Sequence, residues 1–426
     1  MKKVITLITV LLTNTAYLHI QAETTGDSLI VHNVSTGKDE IFDIPMGLSN
    51  EFDSLLYNWH AKNLLTLPDE NCETRNENPS FSDSVYADRL ARIPSVMEMP
   101  YNDIVRKFID LYAEKLRSRV SYMLGAANFY IPIFEEALDA YDLPDELKYL
   151  PIIESALNPS AVSRAGASGL WQFMLKTGKI YNLRSNSLID ERRDPIKSTY
   201  AAARYLKELY GIYGDWNLVI AAYNCGPGNI NKAIRRADGT TDYWKIYNYL
   251  PRETRGYVPS FIAANYIMNY YCEHNICPME AQLPAATDTL HINRDLHFQQ
   301  IADLCDVDIE ELRALNPQYK RDIIPGNSFS CTLRLPQKAI STFIDVEDTI
   351  YIHRAKELFK KRRYVNVEEE NIGKKSISGK ATYHTIRRGE TLSTIARKYG
   401  TTVNKIKSLN RLRNNNIRAG KKLRVR

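Results

Sequence analysis

The sequence predicts a mainly α-helical protein, in which an all-helical domain over residues 99–282 precedes small βααβ modules. Three observations support this fold class. Between residues 101 and 271, apolar residues recur at helical spacing, and Gly and Pro separate the segments closely. After Pro278, short apolar stretches replace this pattern. Two segments there, IADLCDVDIEELRALN and IARKYGTTVNKIKSLN, share one plan and therefore form an internal repeat.

The N-terminus, residues 1–22, has the pattern of a secretory signal. Two lysines precede an apolar run, and a cleavage site follows Ala22. An uncleaved anchor is the alternative, but polar residues at 13–15 interrupt the run. No cysteine follows it, so a lipid-modified N-terminus is not predicted, and no other segment approaches the roughly 20 apolar residues of a membrane span. We expect an exported protein of the periplasm or cell envelope, with residues 23–98 as a partly ordered extension.

Helix-start signals recur through the central region. Capping residues or prolines stand at the start of each apolar segment, where they accommodate the free backbone N–H groups of a first turn. The predicted helices open at Asn102, Pro144, Asp194, Asp215 and Pro251. Their short lengths and tight connections are typical of a domain built from packed helices.

Two predicted modules and a linker follow. Residues 286–340 hold a divergent first copy, residues 341–382 are a linker by composition, and residues 383–426 read strand, helix, helix, strand. The last segment contains 13 Lys and Arg and one acid, a net +12, so the rest of the +6 chain carries −6. Export argues against nucleic acid and favours an anionic polymer outside the membrane as the partner. We expect a monomer.

The six cysteines are compatible with disulfides in an exported protein, but their pairing cannot be read from the sequence. Cys305 and Cys331 fall in one module, which favours their pairing. The stretch CEHNIC at 272–277 crowds three candidate ligands into six residues and fits no standard zinc spacing. The sequence therefore predicts no metal and no cofactor.

An ionisable residue, Glu154, ends the apolar run LPIIES. Leu143, Leu147, Leu150 and Glu154 stand at relative positions 0, 4, 7 and 11, so on a helix they share one face. A carboxyl that points inward loses hydration, and its pKa rises because the charged form is disfavoured. It can then hold a proton to donate as a general acid. The spacing fits equally well a glutamate paired with an arginine or one that points to water.

The residues after Glu154 favour the general acid. Asn158-Pro159 is predicted to break the helix, and SRAGASG supplies small residues that let a bulky ligand approach the backbone. GLWQFM then brings apolar faces and one amide, which are typical of a sugar-binding cleft. Trp171 and Phe173 are more simply interpreted as core residues.

These residues also carry a resemblance to a known family. The pattern E-S-x3-P-x3-S-x5-G-L-W-x-F, from Glu154 to Phe173, resembles the signature of the lytic murein transglycosylases of glycoside hydrolase family 23. AAYNCGPGNI at 221–230 and RETRGYVP at 252–259 are similar to two further motifs of that family, and the C-terminal repeat resembles LysM modules. The resemblance implies a lysozyme-like all-helical catalytic domain followed by βααβ LysM modules.

The same resemblance implies the roles of individual residues. Glu154 would be the single catalytic acid and base, with Tyr257 orienting it. The implied substrate-binding residues are Ser163, Gln172, Met174, Tyr223, Asn224, Glu253 and Tyr257. Their residue types alone leave other roles open, since Tyr257 could be core beside Phe261, Asn224 a turn cap, and Glu253 a first-turn acid.

The implied reaction cleaves the β-1,4 bond between N-acetylmuramic acid and N-acetylglucosamine without water and leaves 1,6-anhydro ends, while the LysM modules hold the enzyme on the peptidoglycan. The LysM resemblance puts the sugar groove at GETL after Arg388 and at LNRLRNNNI. The copy at 288–336 is so divergent that glycan binding there is not predicted.

Two other functions remain open. A lysozyme-type hydrolase would need a second carboxylate, for which Asp190, Glu191 and Asp194 are the nearest candidates, although their interleaved arginines favour a salt network and a helix cap. A non-catalytic wall-binding protein would have no use for the Glu–Ser signature. Cys225 stands where the family usually has alanine, but a Cys–His dyad within residues 100–270 is excluded because this stretch contains no histidine.

Overall fold

The computed structural model describes residues 28–33, 37–49, 65–66, 78–281, 283–284, 286–359, 383–387, 389–410, 412, 414 and 416–425. The predicted signal segment lies outside these residues, as does most of the predicted linker. By its contacts the chain divides into two compact units, Met1–Tyr364 and Val365–Arg426. In the part of the chain that is described, no helix is long and apolar enough to cross a membrane.

Helices dominate the first unit, as predicted, and they enclose one large core. Trp171, Phe134, Phe108, Tyr112 and Phe261 are among the largest side chains buried in it. The helices of this body are α1 Asp83–Arg92, α2 Asp103–Asp110, α3 Arg117–Ala140, α4 Leu150–Ser155, α5 Leu175–Ile180, α6 Pro195–Tyr213, α7 Trp216–Cys225, α8 Pro227–Arg236, α9 Tyr243–Ile246, α10 Arg252–Arg255 and α11 Tyr257–Tyr270. Single turns of other helix types lie at Leu111–Lys115, Asp145–Tyr149 and Tyr247–Tyr249.

The predicted N-caps are confirmed where a side chain is the signal. The Asn102 carboxamide accepts hydrogen bonds from Ile104 N and Val105 N at the start of α2. Asp194 and Asp215 cap α6 and α7 in the same way, and each supplies an acceptor for N–H groups that have no partner within the helix.

Two predicted helices are wrong in their extent. The run from Leu143 to Glu154 is not one helix: residues Asp145–Tyr149 form a 3-10 turn, and α4 begins only at Leu150. Pro151 explains the division, because its ring would clash with the Leu147 carbonyl in a continuous α-helix. The segment after Pro251 likewise divides into α10 and α11 at Gly256, where Pro259 would clash with the Arg255 carbonyl. That carbonyl accepts a hydrogen bond from Tyr243 Oη instead, at 2.9 Å.

An N-terminal hairpin packs on the helical body. Strands β1 Ser28–Asn33 and β2 Lys38–Asp43 pair antiparallel, with Ser28 opposite Asp43, and a 3-10 turn follows at Met46–Leu48. Leu29, Phe42 and Leu48 are buried in the core of the helical body. A second short strand pair joins distant parts of the chain. Strand β3, Leu65–Thr66, follows the hairpin and pairs antiparallel with β4, Glu280–Ala281, which precedes the next module.

The module after residue 286 combines two strand pairs with two helices. Strand β5 pairs with β8 and β6 with β7, all antiparallel, and Ile301, Leu312 and Leu333 lie in its core. Ile189 of the helical body is buried in the same core, and Asp190 N donates to Gln318 O at 2.8 Å, so the module is fixed to the body. Its elements are β5 Thr287–Ile292, β6 Asp295–His297, α12 Phe298–Cys305, α13 Ile309–Leu315, β7 Ile323–Pro325 and β8 Cys331–Pro336, followed by α14 Gln337–Asp345, α15 Glu347–Ile350 and α16 Ala355–Leu358.

The second unit contains the predicted βααβ module. Its elements are β9 Tyr383–Thr385, α17 Leu392–Lys398, α18 Val403–Leu409 and β10 Lys422–Arg424, with β9 and β10 antiparallel. Both copies of the repeat use an asparagine after the second helix in the same way. Asn316 Nδ2 donates to Leu312 O and Arg334 O, and Asn410 Nδ2 donates to Ile406 O and Arg424 O. In each copy this amide ties the helix end to the last strand, which confirms the internal repeat.

The cysteines differ from the predicted pairing. Cys305 and Cys331 are both buried as free thiols, although they lie in one module, and Cys225 and Cys272 are also free. Cys277 is disulfide-bonded. Position within one module was therefore a poor guide, because a disulfide also requires the two Cβ atoms to face each other at about 4 Å.

Candidate active site

A cleft of about 720 Å³ opens in the helical body, and Glu154 lies in its lining. The cleft brings together residues that are far apart in the sequence: they come from the N-terminal segment, from α4 and the loop after it, from α5 and α6, from the end of α7 and from α10. Six of the seven predicted substrate-binding residues line it, namely Ser163, Gln172, Met174, Tyr223, Asn224 and Glu253. The seventh, Tyr257, is buried beneath it and contacts Glu154.

The end of α4 sets the position of Glu154. The helix stops one residue later, at Ser155, because Ala156 and Leu157 adopt left-handed backbone conformations with φ of 48° and 61°. The helix therefore ends before Asn158-Pro159, where the sequence predicted the break. Non-glycine residues rarely adopt this conformation. The Ser155 hydroxyl supports the turn by donating to Leu170 O at 2.9 Å. Glu154 is thus held at a helix end and partly exposed to the cleft.

The surroundings of Glu154 favour its protonated form. The pKa of Glu154 is raised to about 8, mainly because burial disfavours the charged form. The hydrogen bond from Tyr257 Oη to Glu154 Oε1 opposes this rise, and the Glu253 carboxylate adds a smaller contribution to it. Burial and the neighbouring Glu154 also raise the pKa of Tyr257 well above its usual value, so that its hydroxyl stays protonated as the donor. A carboxyl in this state carries a proton at neutral pH.

The loop after α4 forms one side of the cleft. Ser163 Oγ accepts a hydrogen bond from Ala167 N at 2.8 Å and closes a tight turn. Gly169 adopts φ of +88°, and a Cβ there would lie 1.8 Å from Arg192 O, so only glycine fits. Gln172 Nε2 donates to Gly169 O, whereas its Oε1 has no hydrogen-bond partner among the described residues. The small residues of SRAGASG thus allow the loop to pack closely against the backbone of Arg192 and also to border the cleft.

The far side of the cleft comes from α7 and α10. Tyr223 Oη donates to Trp171 O at 2.8 Å, and Asn224 Oδ1 accepts a hydrogen bond from Thr254 Oγ1 at 2.8 Å. Glu253 is exposed at the surface of α10. Met174 is 45% exposed and offers an apolar surface.

Two residues of the sequence motifs, Trp171 and Phe173, are buried in the core, and a third, Cys225, is a protonated thiol. Trp171 is fully buried and donates from Nε1 to Thr199 Oγ1 at 2.9 Å, so it is a core residue, and Phe173 is 3% exposed. Cys225 lines the cleft, but burial raises the pKa of its thiol, which keeps the sulfur in the less reactive protonated form.

The acidic cluster after residue 189 does not line the cleft. Asp190 forms a buried ion pair with Arg192, whose Nη2 lies 2.7 Å from Asp190 Oδ2, and Lys197 Nζ lies 2.6 Å from Glu191 Oε1. Asp194 caps α6. The predicted salt network and helix cap are therefore confirmed, and none of the three is placed as a second carboxylate beside Glu154.

Sequence reasoning missed several residues of the cleft. Tyr205 on α6 and Arg164 and Thr177 near the glycine-containing loop also line it. The largest omission is the N-terminal segment, from which Asp43, Ile44, Met46 and Ser49 contribute to the lining. Nothing in the local pattern FDIPMGLS indicates this position, because it depends on contacts with residues more than 100 positions away.

Comparisons with known proteins agree with this arrangement. Residues 132–246 match the family described as "Transglycosylase SLT domain", and this range includes Glu154 and the cleft residues from Ser163 to Gly226. Residues 286–352 match "Lytic transglycosylase MltD, LysM-like domain", and residues 384–426 match "LysM domain".

Individual relatives match different lengths of this chain. Membrane-bound lytic murein transglycosylase D of Escherichia coli K12 is 28% identical over 333 residues, which cover 77% of this chain and 70% of that protein. Soluble lytic murein transglycosylase of the same strain is 32% identical over 124 residues, 28% of this chain and 19% of its own length. The crystal structure of the 70 kDa soluble lytic transglycosylase of E. coli matches 35% of this chain and 25% of its own, with 27% identity and a TM-score of 0.30. The chain carries an SLT domain, a LysM-like domain of the MltD type and a LysM domain, and it is a lytic transglycosylase of this class.

Proposed function

We propose that this protein cleaves the β-1,4 bond between N-acetylmuramic acid and N-acetylglucosamine in peptidoglycan and forms 1,6-anhydro ends without water. The observation that carries this proposal is a carboxyl, Glu154, that holds its proton near neutral pH at the surface of a cleft. A protonated carboxyl can donate to a leaving oxygen, and after donation it can accept a proton in return.

The reaction uses Glu154 twice. Its proton passes to the glycosidic oxygen, the bond from that oxygen to C1 of the muramoyl unit breaks, and the N-acetylglucosamine unit leaves with a free 4-hydroxyl. The muramoyl N-acetyl oxygen stabilises the positive charge at C1. The Glu154 carboxylate then takes the proton of the C6 hydroxyl while that oxygen bonds to C1, which closes the anhydro ring and restores the acid. The Tyr257 hydroxyl supports the second state, because it donates to the ionised carboxylate.

The other cleft residues bind the glycan. Gln172 has an acceptor oxygen with no partner in the described structure, and Met174 offers an exposed apolar surface. Ser163, Tyr223, Asn224 and Glu253 line the same cleft and present hydroxyl, amide and carboxylate groups of the kind that bind sugar hydroxyls and acetamido groups.

The C-terminal modules hold the catalytic domain on its polymer. The module at 383–426 carries a net charge of +12, which favours an anionic wall polymer. Tethering raises the effective concentration of the cleft near its substrate. We propose that the protein acts in the cell envelope, where its substrate is found, and that it is a monomer.

The products of murein digestion test this function. Purified sacculi are incubated with the protein, and the soluble muropeptides are weighed by mass spectrometry. Anhydro ends are expected, and Glu154→Gln should lower their release at least about 100-fold because it removes the general acid. A Glu154→Gln variant that still released anhydro products would exclude the assigned role.

A hydrolase is the competing function, because Glu253 and Asp43 also bring carboxylates to the cleft. Products with reducing ends, heavier by one water, would establish hydrolysis in place of the anhydro reaction. Glu253→Gln serves as the control: hydrolysis through Glu253 would be abolished by this change, whereas the anhydro reaction should retain at least about a tenth of its rate.

A further inference from the structure

The N-terminal segment Asp43–Ser49 belongs to the cleft, although it lies more than 80 residues before the matched SLT domain. It follows strand β2 and contains the 3-10 turn Met46–Leu48. Phe42 and Leu48 are each 1% exposed, so both ends of the segment are anchored in the core. Ile44 and Met46 are only partly buried and line the cleft.

The segment packs closely on the helix that carries Glu154. A Cβ at Gly47 would lie 2.9 Å from Ile152 O, Ile153 O and Ala156 N, so the backbones meet with no space for a side chain. Arg119 Nη1 donates to Gly47 O at 3.4 Å. The turn is therefore held directly against the end of α4.

The same segment also contacts α10, which carries Glu253, and Gly256, which directly precedes the helix that carries Tyr257. A Cβ at Gly256, which stands between α10 and α11, would lie 3.1 Å from Asp43 O. Asp43 Oδ1 and Arg252 Nη2 form an ion pair at 2.8 Å. The segment thus contacts α4, which carries Glu154, and the residue directly before α11, which carries Tyr257, and its side chains line the same cleft as Glu154.

We propose that Asp43–Ser49 is a substrate-binding wall of the cleft, in which Ile44 and Met46 pack on the apolar face or acetamido methyl of an N-acetylated sugar. Asp43 forms its polar edge, since a carboxylate paired with one guanidinium retains acceptors for a sugar hydroxyl. A thioether is polarisable and adapts to irregular apolar surfaces. This inference rests on the proposed function, because it assigns a binding surface for the same glycan.

Methionine methyl NMR tests the wall without relying on activity. The full chain, labelled with 13C at its methionine methyl groups, is titrated with the tetramer of N-acetylglucosamine. None of the eight methionines lies beyond residue 279, so the signals report on the helical body and not on either LysM-type module. Met46→Leu and Met174→Leu assign the two cleft signals. Both should shift on binding, whereas the fully buried Met123 should not.

The NMR outcomes separate this proposal from the proposed function. If the Met174 signal shifts and the Met46 signal does not, the proposal that Asp43–Ser49 binds substrate is overturned, and the cleft remains the glycan site. If neither signal moves, the sugar does not bind in the cleft and the wall is overturned as well. The proposed function is judged independently by the anhydro ends released by the unsubstituted protein.

Kinetics supply the second test. In the full chain, Met46→Ala should raise the KM for soluble, uncross-linked glycan strands about three- to tenfold and leave kcat within about twofold, because a binding contact is lost and the acid is retained. Ile41→Ala is the matched control, since Ile41 is 48% exposed on β2 and does not line the cleft. Equal KM values for Met46→Ala and Ile41→Ala would contradict the proposed substrate-binding role of Asp43–Ser49. A decrease in kcat of Met46→Ala with an unchanged KM would contradict it as well.

Discussion

At the scale of single residues, one hydrogen bond modifies the protonation of the proposed catalytic acid. Tyr257 donates to Glu154, and this bond lowers the pKa of a carboxyl that burial otherwise raises. The tyrosine therefore stabilises the carboxylate that exists between proton donation and proton recovery. It also limits the motion of a side chain that stands at the end of a six-residue helix.

The pH profile measures this effect. Because Glu154 must be protonated to act, the rate should be level at neutral pH and fall as the pH rises through about 8, the pKa of Glu154. Tyr257→Phe removes the bond that lowers this pKa, so the alkaline limb should move to higher pH while kcat falls about 10- to 100-fold. The measurement is muropeptide release from pH 5 to 10.

A second tyrosine provides the control for that experiment. Tyr243 is also buried, and its hydroxyl donates to Arg255 O, away from the acid. Tyr243→Phe should leave the alkaline limb in place. An alkaline limb that moved to lower pH in Tyr257→Phe would contradict the assigned direction of the hydrogen bond's effect.

At the scale of elements, one buried arginine supports the loop beside the cleft. Arg192 Nη1 donates to Gly166 O and Phe173 O, at 2.8 and 2.9 Å, and its other nitrogens bond Asp190. Burial would raise the pKa of Asp190, but this pairing holds it below the ordinary value. Asp190 also adjoins the strand contact with the LysM-like module. The ion pair therefore links the loop beside the cleft to the contact with the module.

Removal of the Arg192 side chain should destabilise the folded protein. Arg192→Met leaves Asp190 buried without its main partner and should lower the free energy of unfolding by about 3–5 kcal/mol. Arg204→Met is the control, because the Arg204–Glu208 pair is half-exposed and should cost less than about 1 kcal/mol. Urea unfolding measures both. The double variant Asp190→Asn with Arg192→Met should recover part of the lost stability. Equal losses of stability in Arg192→Met and Arg204→Met would refute the supporting role of Arg192.

At the scale of the whole molecule, charge is concentrated far along the chain from the catalytic residues. The segment 383–426 carries +12, and the rest of the chain carries −6. An interaction with an anionic polymer through exposed charges weakens as salt is added. The C-terminal unit should therefore dominate the salt dependence of wall binding, whereas the chemistry of the cleft should be nearly independent of it.

Truncation after Tyr364, at the boundary between the two units, tests this division. The full chain should bind sacculi tightly in low salt and lose affinity as salt increases, and the truncated chain should bind weakly at both concentrations. Release of product from short soluble strands should be similar for the two chains. Equal binding of sacculi by both chains would show that the C-terminal module is not the tether.

Features that depend on interactions between residues close in sequence were predicted more accurately than features that depend on the tertiary structure. The caps Asn102, Asp194 and Asp215 were predicted because each acts on N–H groups two or three residues away. The prediction of one helix from Leu143 to Glu154 was wrong. The spacing of the leucines indicates a continuous helix, but the ring of Pro151 divides the segment. The free thiols of Cys305 and Cys331 show the same limit, since proximity in sequence says nothing about whether two Cβ atoms face each other.

By itself the sequence determined the helical fold class and the repeated C-terminal module, and it indicated Glu154 as the candidate acid, because periodicity, caps and motif spacing are local features of the chain. The tertiary structure alone decided what surrounds that acid. It placed Tyr257 under Glu154, paired Asp190 with Arg192, and brought Asp43–Ser49 to the cleft through close contacts at Gly47 and Gly256. These contacts join residues far apart in sequence, and they form only when the buried core fixes the distances between helices.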